Sequence, residues 1–77
     1  MDWKPNGKGN WIAVVVARND SNHTHHLHRT QKAFTENGEL TVLFTDDDGA
    51  AHTMTFAAGV WAAVEIYLPT PPQEPTP

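Results

Sequence analysis

Cysteine is absent from the 77-residue sequence, and this excludes both disulfide bonds and thiolate zinc sites. A chain of this length has room for a single domain. Domains this small bury a modest fraction of their surface and commonly depend on disulfides, a metal or oligomerisation. Without cysteine, the remaining reinforcements are ligation of a metal by imidazole or carboxylate groups, or association with a partner subunit.

Long apolar runs and clusters of basic residues are also lacking. No stretch approaches the roughly 18–20 apolar residues that cross a bilayer, and the N-terminal residues show no signal-peptide pattern. We therefore expect a cytoplasmic protein without a membrane partner. The formal charge is −4 with neutral histidines, and 5 residues are Lys or Arg. Because binding to nucleic-acid backbones requires clustered basic residues, nucleic acid is not expected as a partner.

Sequence motifs for catalysis are missing as well. The chain contains no nucleophile elbow, phosphate-binding loop or dinucleotide-binding fingerprint. A domain of this size also has little room for a buried pocket. We therefore expect that the protein is not an enzyme and that it has no cofactor, apart from the metal ions considered below.

Turn signals and hydrophobic patterning predict a mainly β fold. Residues 11–18 form a short apolar run typical of a strand. Glycine-containing turns at 36–38, 47–49 and 57–59 have the spacing of an all-β chain. We predict a small five-stranded antiparallel meander curled into an SH3-like roll or partly open barrel. Its strands are placed at 11–18, 29–35, 39–45, 51–56 and 60–68.

Three-residue hairpin loops at these turns fix a register that collects most apolar side chains on one face. The predicted cross-strand pairs are Phe34 with Leu40, Leu40 with Phe56, Val42 with Met54, Phe44 with His52, and Phe56 with Val60. An alternative is an α+β fold with a C-terminal helix at 57–67, because apolar residues there also match helical spacing. The turn series favours the strand.

The chain is divided by composition into three parts. Residues 1–10 are predicted as a flexible lead-in, and residues 11–68 as a single β domain with a histidine-rich loop at 19–28. Residues 69–77 contain 5 of the 6 prolines and are predicted as a disordered, proline-rich tail, since proline does not donate to a sheet.

A cluster of four imidazoles is the most unusual feature of the sequence. His23, His25, His26 and His28 fall within six residues and could ligate zinc, nickel or copper. In an extended segment they alternate, so that one short strand presents pairs and not a closed tetrahedral site. A solvated loop without a metal is the competing interpretation.

An aromatic patch provides a candidate contact surface. Trp61, Tyr67 and Leu43 are predicted to point away from the core, with Trp11 near the first edge of the sheet. We therefore expect a non-catalytic protein-binding module, such as a regulator, an inhibitor or an accessory subunit of an assembly. It would act through this aromatic face or through a sheet edge. Its partner would be another protein or a second copy of the chain.

Two other functions remain open at this point. One is transition-metal binding through the histidine cluster, and the other is single-stranded nucleic-acid binding on the aromatic face. Because small acidic chains of this kind are common in phages and mobile elements, an origin in a phage or a mobile element is a further expectation.

Overall fold

The structure is a computed structural model that describes residues 2–5, 9–18 and 23–69. These residues form two antiparallel β-sheets and no helix, so the described chain offers no helix that could cross a membrane. The strands are β1 (Asp2–Trp3), β2 (Ile12–Ala17), β3 (Thr24–His28), β4 (Thr30–Glu36), β5 (Glu39–Thr45), β6 (Ala51–Phe56) and β7 (Trp61–Tyr67). The first sheet has the order β1-β4-β5-β6, and the second has the order β3-β2-β7.

The hydrophobic core lies between the two sheets. Ala13, Val15 and Ala17 of β2 are buried on one face, as the two-residue period of a strand requires when that face meets a second layer, and Ile12 at the start of the strand is buried on the other face. The cluster takes side chains from both sheets, which shows that their apolar faces pack together. Its buried members are Ala13, Val15, Ala17 and Leu27 from the second sheet, and Ala33, Leu40, Val42 and Phe56 from the first.

One residue connects the two sheets on one side. Arg29 lies between β3 and β4 with a φ of 55°, and this left-handed conformation turns the chain from one sheet into the other. The backbone N–H of Thr30 donates to the carbonyl of Trp11 at 2.8 Å. The Thr30 hydroxyl donates to the carbonyl of Leu27 at 2.6 Å and is buried. These bonds fix the bend.

The other side of the molecule is open. Within the described residues, β6 pairs with β5 alone and β7 pairs with β2 alone. The turn at residues 57–60 carries the chain from the first sheet to the second. The sheets therefore do not close into a barrel. The mainly β prediction is confirmed, but the single five-stranded meander is wrong, because β6 and β7 belong to different sheets.

The first hairpin differs from its predicted register by one residue. Asn37 and Gly38 have φ values of 53° and 81°, and Glu36 pairs with Glu39. This is a two-residue turn with both central residues left-handed, and not a three-residue loop. Thr35 therefore lies opposite Leu40. The predicted Phe34–Leu40 pair does not form, and Phe34 lies opposite Thr41 on the outer face of the sheet.

The second hairpin has the predicted register. Leu40 pairs with Phe56, Val42 with Met54, and Phe44 with His52. The predicted pairing of Phe56 with Val60 is wrong, since β7 pairs with β2. The strand assignment for the C-terminal segment is confirmed, and the alternative helix at 57–67 is wrong, because Trp61–Tyr67 is a strand.

Two segments predicted without regular structure contain strands. Asp2–Trp3, in the predicted lead-in, pairs with β4. Thr24–His28, in the predicted histidine loop, forms β3 and pairs with β2 over five residues. The inward side chain of Leu27 gives this otherwise polar segment one apolar anchor in the core. The remainder of the predicted loop, residues 19–22, and the tail from residue 70 onward lie outside the described residues.

Candidate functional site

Trp61 connects the two sheets. It is half-buried and packs against the core, on the same face of the second sheet as its partner Ala17. Its indole N–H donates to the carbonyl of Gly38, 2.9 Å away in the turn between β4 and β5. The side chain thus joins β7 to the first sheet.

The other residues of the predicted aromatic face lie in separate places. Tyr67 is 38% exposed at the end of β7, opposite Ile12. Leu43 lies half-buried on the outer face of the first sheet. Trp11 packs edge-on against Trp3, with ring centroids 5.3 Å apart. The structure therefore does not bring these aromatic and apolar side chains together into one patch.

The edge of the first sheet at β6 is the more extensive accessible feature of the described residues. The strand β6 pairs with β5 in a regular register over all six of its residues, from Ala51 to Phe56. Its opposite side pairs with no other described strand. The backbone N–H and C=O groups along that side are the groups that an added strand would bind.

The remaining edges of the described sheets carry features that discourage pairing. The strand β1 has two residues and begins with Asp2. The strand β7 contains a register shift opposite Val16 and Ala17, and it carries Glu65. The strand β3 contains three histidines and runs directly into the bend at Arg29. By contrast, β6 has no bulge, no proline and no Lys, Arg, Asp or Glu, so it lacks the usual protection of an edge.

Side chains of β6 alternate between two chemical surfaces. Thr53 and Thr55 are exposed on the outer face, and the hydroxyl of Thr55 lies 3.1 Å from that of Thr41. Met54 is half-buried on the inner face and packs against the core, next to the buried Phe56. A strand placed beside β6 would therefore meet hydroxyls on one face, and the His52 imidazole followed by apolar groups on the other.

The start of β6 is held by a short network centred on Asp46. Nε2 of His52 lies 2.7 Å from Oδ2 of Asp46, and the His52 ring stacks on Phe44 with centroids 5.3 Å apart. Oδ1 of Asp46 accepts the backbone N–H groups of Asp48 and Ala50, each at 2.9 Å. The hydrogen bond with His52, and then those from the backbone, lower the pKa of Asp46 below its ordinary value of 3.8.

The histidines of β3 divide between the two faces of the strand. His25 faces inward and meets Phe56 edge-on, with ring centroids 5.4 Å apart. His26 and His28 are exposed on the opposite face, and the carbonyl of His23 accepts the N–H of Ala17. An open groove is lined by His26, His28, Phe44, Thr45, Asp46 and Asp47.

No metal centre is assembled in the described part of the chain. Among residues 2–5, 9–18 and 23–69, no three His, Asp or Glu side chains lie close enough together to hold a metal ion. The exposed pair His26 and His28 offers two ligands at most. Such a pair falls short of the three or four protein ligands of a typical zinc site.

Comparison with known proteins identifies no relative of this chain. No family model matches the sequence, and no curated protein or solved structure matches it significantly. The function must therefore be argued from the site itself.

No local sequence signal marks β6 as an edge strand. Ala51–Phe56 is free of formally charged residues and proline, which is typical of a strand with two neighbours and unusual for an edge. The predicted meander accordingly placed this strand between two others, and only the strand order of the structure makes it an edge.

Proposed function

We propose that this chain is a non-catalytic protein-binding module that binds an extended strand along the free edge of β6. The observation that supports it is a regular six-residue strand without a formally charged side chain, one side of which pairs with no other described strand. Edge strands of this kind pair readily with another chain unless they are protected. A regulator, an inhibitor or an accessory subunit of an assembly could each act in this way.

The chemistry of the partner strand follows from the two faces of β6. Backbone hydrogen bonds supply affinity in strand addition, and alternate side chains supply specificity. The outer threonines favour small polar or hydroxylated residues on one face of the partner. Met54 and Phe56 favour apolar residues on its other face, where they would extend the core.

The two alternative functions have less support. Single-stranded nucleic-acid binding would need an assembled aromatic face, and Trp61 is engaged with Gly38. Metal binding would rest on His26 and His28, because the described residues assemble no larger ligand group.

Site-specific photo-crosslinking tests the proposed binding mode. A photoreactive residue replaces the exposed Thr55 on β6, and the matched control replaces the exposed Ala63 on the edge strand of the other sheet. We expect a covalent protein adduct from position 55 and not from position 63. Each adduct is identified by mass, which separates a second copy of the chain from a different protein.

Hydrogen exchange then decides whether the crosslinked partner adds a strand. With the purified partner present, the amides of Ala51–Phe56 are expected to exchange more slowly, while those of Trp61–Tyr67 keep their rates. Equal adducts at both positions, or no slowing along β6, would contradict the proposed function.

A further inference from the structure

We propose that the strand accepted by β6 is β6 of a second copy of this chain, paired antiparallel about Met54. This inference rests on the proposed function and names the partner for the same edge. It extends the four-stranded sheet of each copy into a continuous eight-stranded sheet.

Symmetry limits the registers that such a pair can adopt. Two copies that share an edge are related by a two-fold axis perpendicular to the sheet, so that the inner faces of both copies lie on the same side. Each residue must then lie opposite a residue of the same face. With the axis at Met54, the two methionines face each other and Thr53 lies opposite Thr55 of the second copy. His52 lies opposite Phe56 of the second copy.

The side chains in this register are compatible on both faces. On the outer face, Thr53 and Thr55 form two reciprocal threonine pairs, and these continue the hydroxyl contact that Thr55 already makes with Thr41. On the inner face, the half-buried Met54 of each copy is covered by that of the other copy. No two formally charged side chains lie opposite one another.

The same two-fold pairing is unfavourable along β7, the long edge strand of the second sheet. The regular part of β7 runs from Ala63 to Tyr67, because the register shifts before it. Its central residue is Glu65, so a symmetric pair of these five residues would place two carboxylates directly opposite each other. Self-association is therefore favoured on β6 and disfavoured on β7.

The small size of the domain is compatible with stabilisation by self-association. A cysteine-free domain of this size lacks the disulfides that stabilise many small domains. The described residues assemble no metal centre, so association with a second copy is one reinforcement that remains open to the chain. Edge pairing buries a small interface, so we expect weak, concentration-dependent dimers.

Paired charge variants test both the dimer and its register. Thr53→Lys with Thr55→Lys places lysine opposite lysine twice, and we expect the dimer dissociation constant to rise by about tenfold or more. Thr53→Lys with Thr55→Glu places each introduced lysine opposite an introduced glutamate, and we expect the dimer to persist. Both positions are exposed, so each variant should fold, as checked by circular dichroism.

The readout is mass by light scattering and native mass spectrometry over a range of concentrations. Hydrogen exchange of the unmodified protein provides a second measurement, in which exchange along β6 slows with concentration while exchange along β7 does not. Loss of the dimer in the lysine–glutamate variant would overturn the register about Met54, since an axis at Thr53 would place two introduced lysines together.

The outcomes also separate this inference from the proposed function. A protein that stays monomeric at every concentration overturns the self-association, while a crosslink from position 55 to a different protein keeps the strand-addition function. A monomer that also gives no crosslinked partner at position 55 overturns both.

Discussion

A single carboxylate organises the turn between β5 and β6. One oxygen of Asp46 accepts two backbone N–H groups of the turn, and the other contacts His52 at the start of β6. The carbonyl of Asp46 also accepts a hydrogen bond from the side chain of Arg29 at 3.2 Å. Asp46 therefore ties the β5–β6 turn both to the proposed edge strand and to the bend between the sheets.

The Asp46 network predicts a pH-dependent loss of stability. Because the folded chain lowers the pKa of Asp46, its contribution is present above the ordinary value of 3.8 and is lost as the pH falls toward the folded pKa. Asp46→Asn keeps an acceptor for the turn N–H groups but removes the carboxylate. We expect the variant to be less stable than the natural chain at pH 5, with the difference shrinking at pH 3. Urea unfolding at both values measures this, and a difference independent of pH would contradict it.

Trp61 provides a second residue-scale prediction. Because it packs on the core and its N–H donates to Gly38, Trp61→Ala is expected to lower the free energy of unfolding by about 2 kcal/mol. Tyr67→Ala, at an exposed site on the same strand, should cost less than about 1 kcal/mol. Urea unfolding of both variants compares them. Equal small losses would mean that Trp61 is a surface residue, as the sequence analysis predicted.

At the scale of elements, two turn glycines with similar φ values differ in their surroundings. Gly38 and Gly49 have φ values of 81° and 84°, which side chains other than glycine adopt at a cost. A Cβ at Gly38 would lie 3.1 Å from the Cβ of Ala58, whereas a Cβ at Gly49 meets nothing within 4 Å. The turn between β4 and β5 thus touches the turn between β6 and β7.

This contact predicts unequal effects of the same substitution. Gly49→Ala should lower the free energy of unfolding by about 1 kcal/mol through backbone strain alone. Gly38→Ala should lower it further, to a total of about 2 kcal/mol, because the neighbouring turn must move. Thermal and urea unfolding of the two variants measure the difference. Equal losses would show that the two turns do not touch.

The length of a hairpin loop could not be fixed from its turn residues alone, because Asn37-Gly38 and Asp48-Gly49 each fit a two-residue or a three-residue loop. The β5–β6 hairpin has the predicted register throughout. The first hairpin does not, because Glu36-Asn37-Gly38 fits a three-residue loop as a pattern, while Asn37-Gly38 alone completes a two-residue turn. One residue of loop length moved Phe34 to the outer face, as the two-residue period of a strand requires.

At the scale of the whole molecule, the order of the strands could not be predicted from local sequence patterns. The apolar alternation of Trp61–Tyr67 is the same whether that strand returns to β6 or crosses to β2. Its crossing left β6 as an edge, so the composition of the candidate site was visible in the sequence but its position was not. The strand at Thr24–His28 was not predicted either. Leu27 is its one buried residue, and a single apolar residue does not make an alternating pattern.

The location of the core between two sheets gives the last prediction. Leu40 is fully buried between the sheets, whereas Leu43 lies on the outer face of the same strand. Leu40→Ala leaves a cavity and should lower the free energy of unfolding by about 3 kcal/mol. Leu43→Ala removes the same atoms from a half-exposed site and should cost about 1 kcal/mol or less. Urea unfolding of the two variants at neutral pH compares them at one protein concentration, since a dimer would add to the stability of both. Because the two leucines are three residues apart on one strand, a reversed order of losses would mean that β5 presents its opposite face to the core.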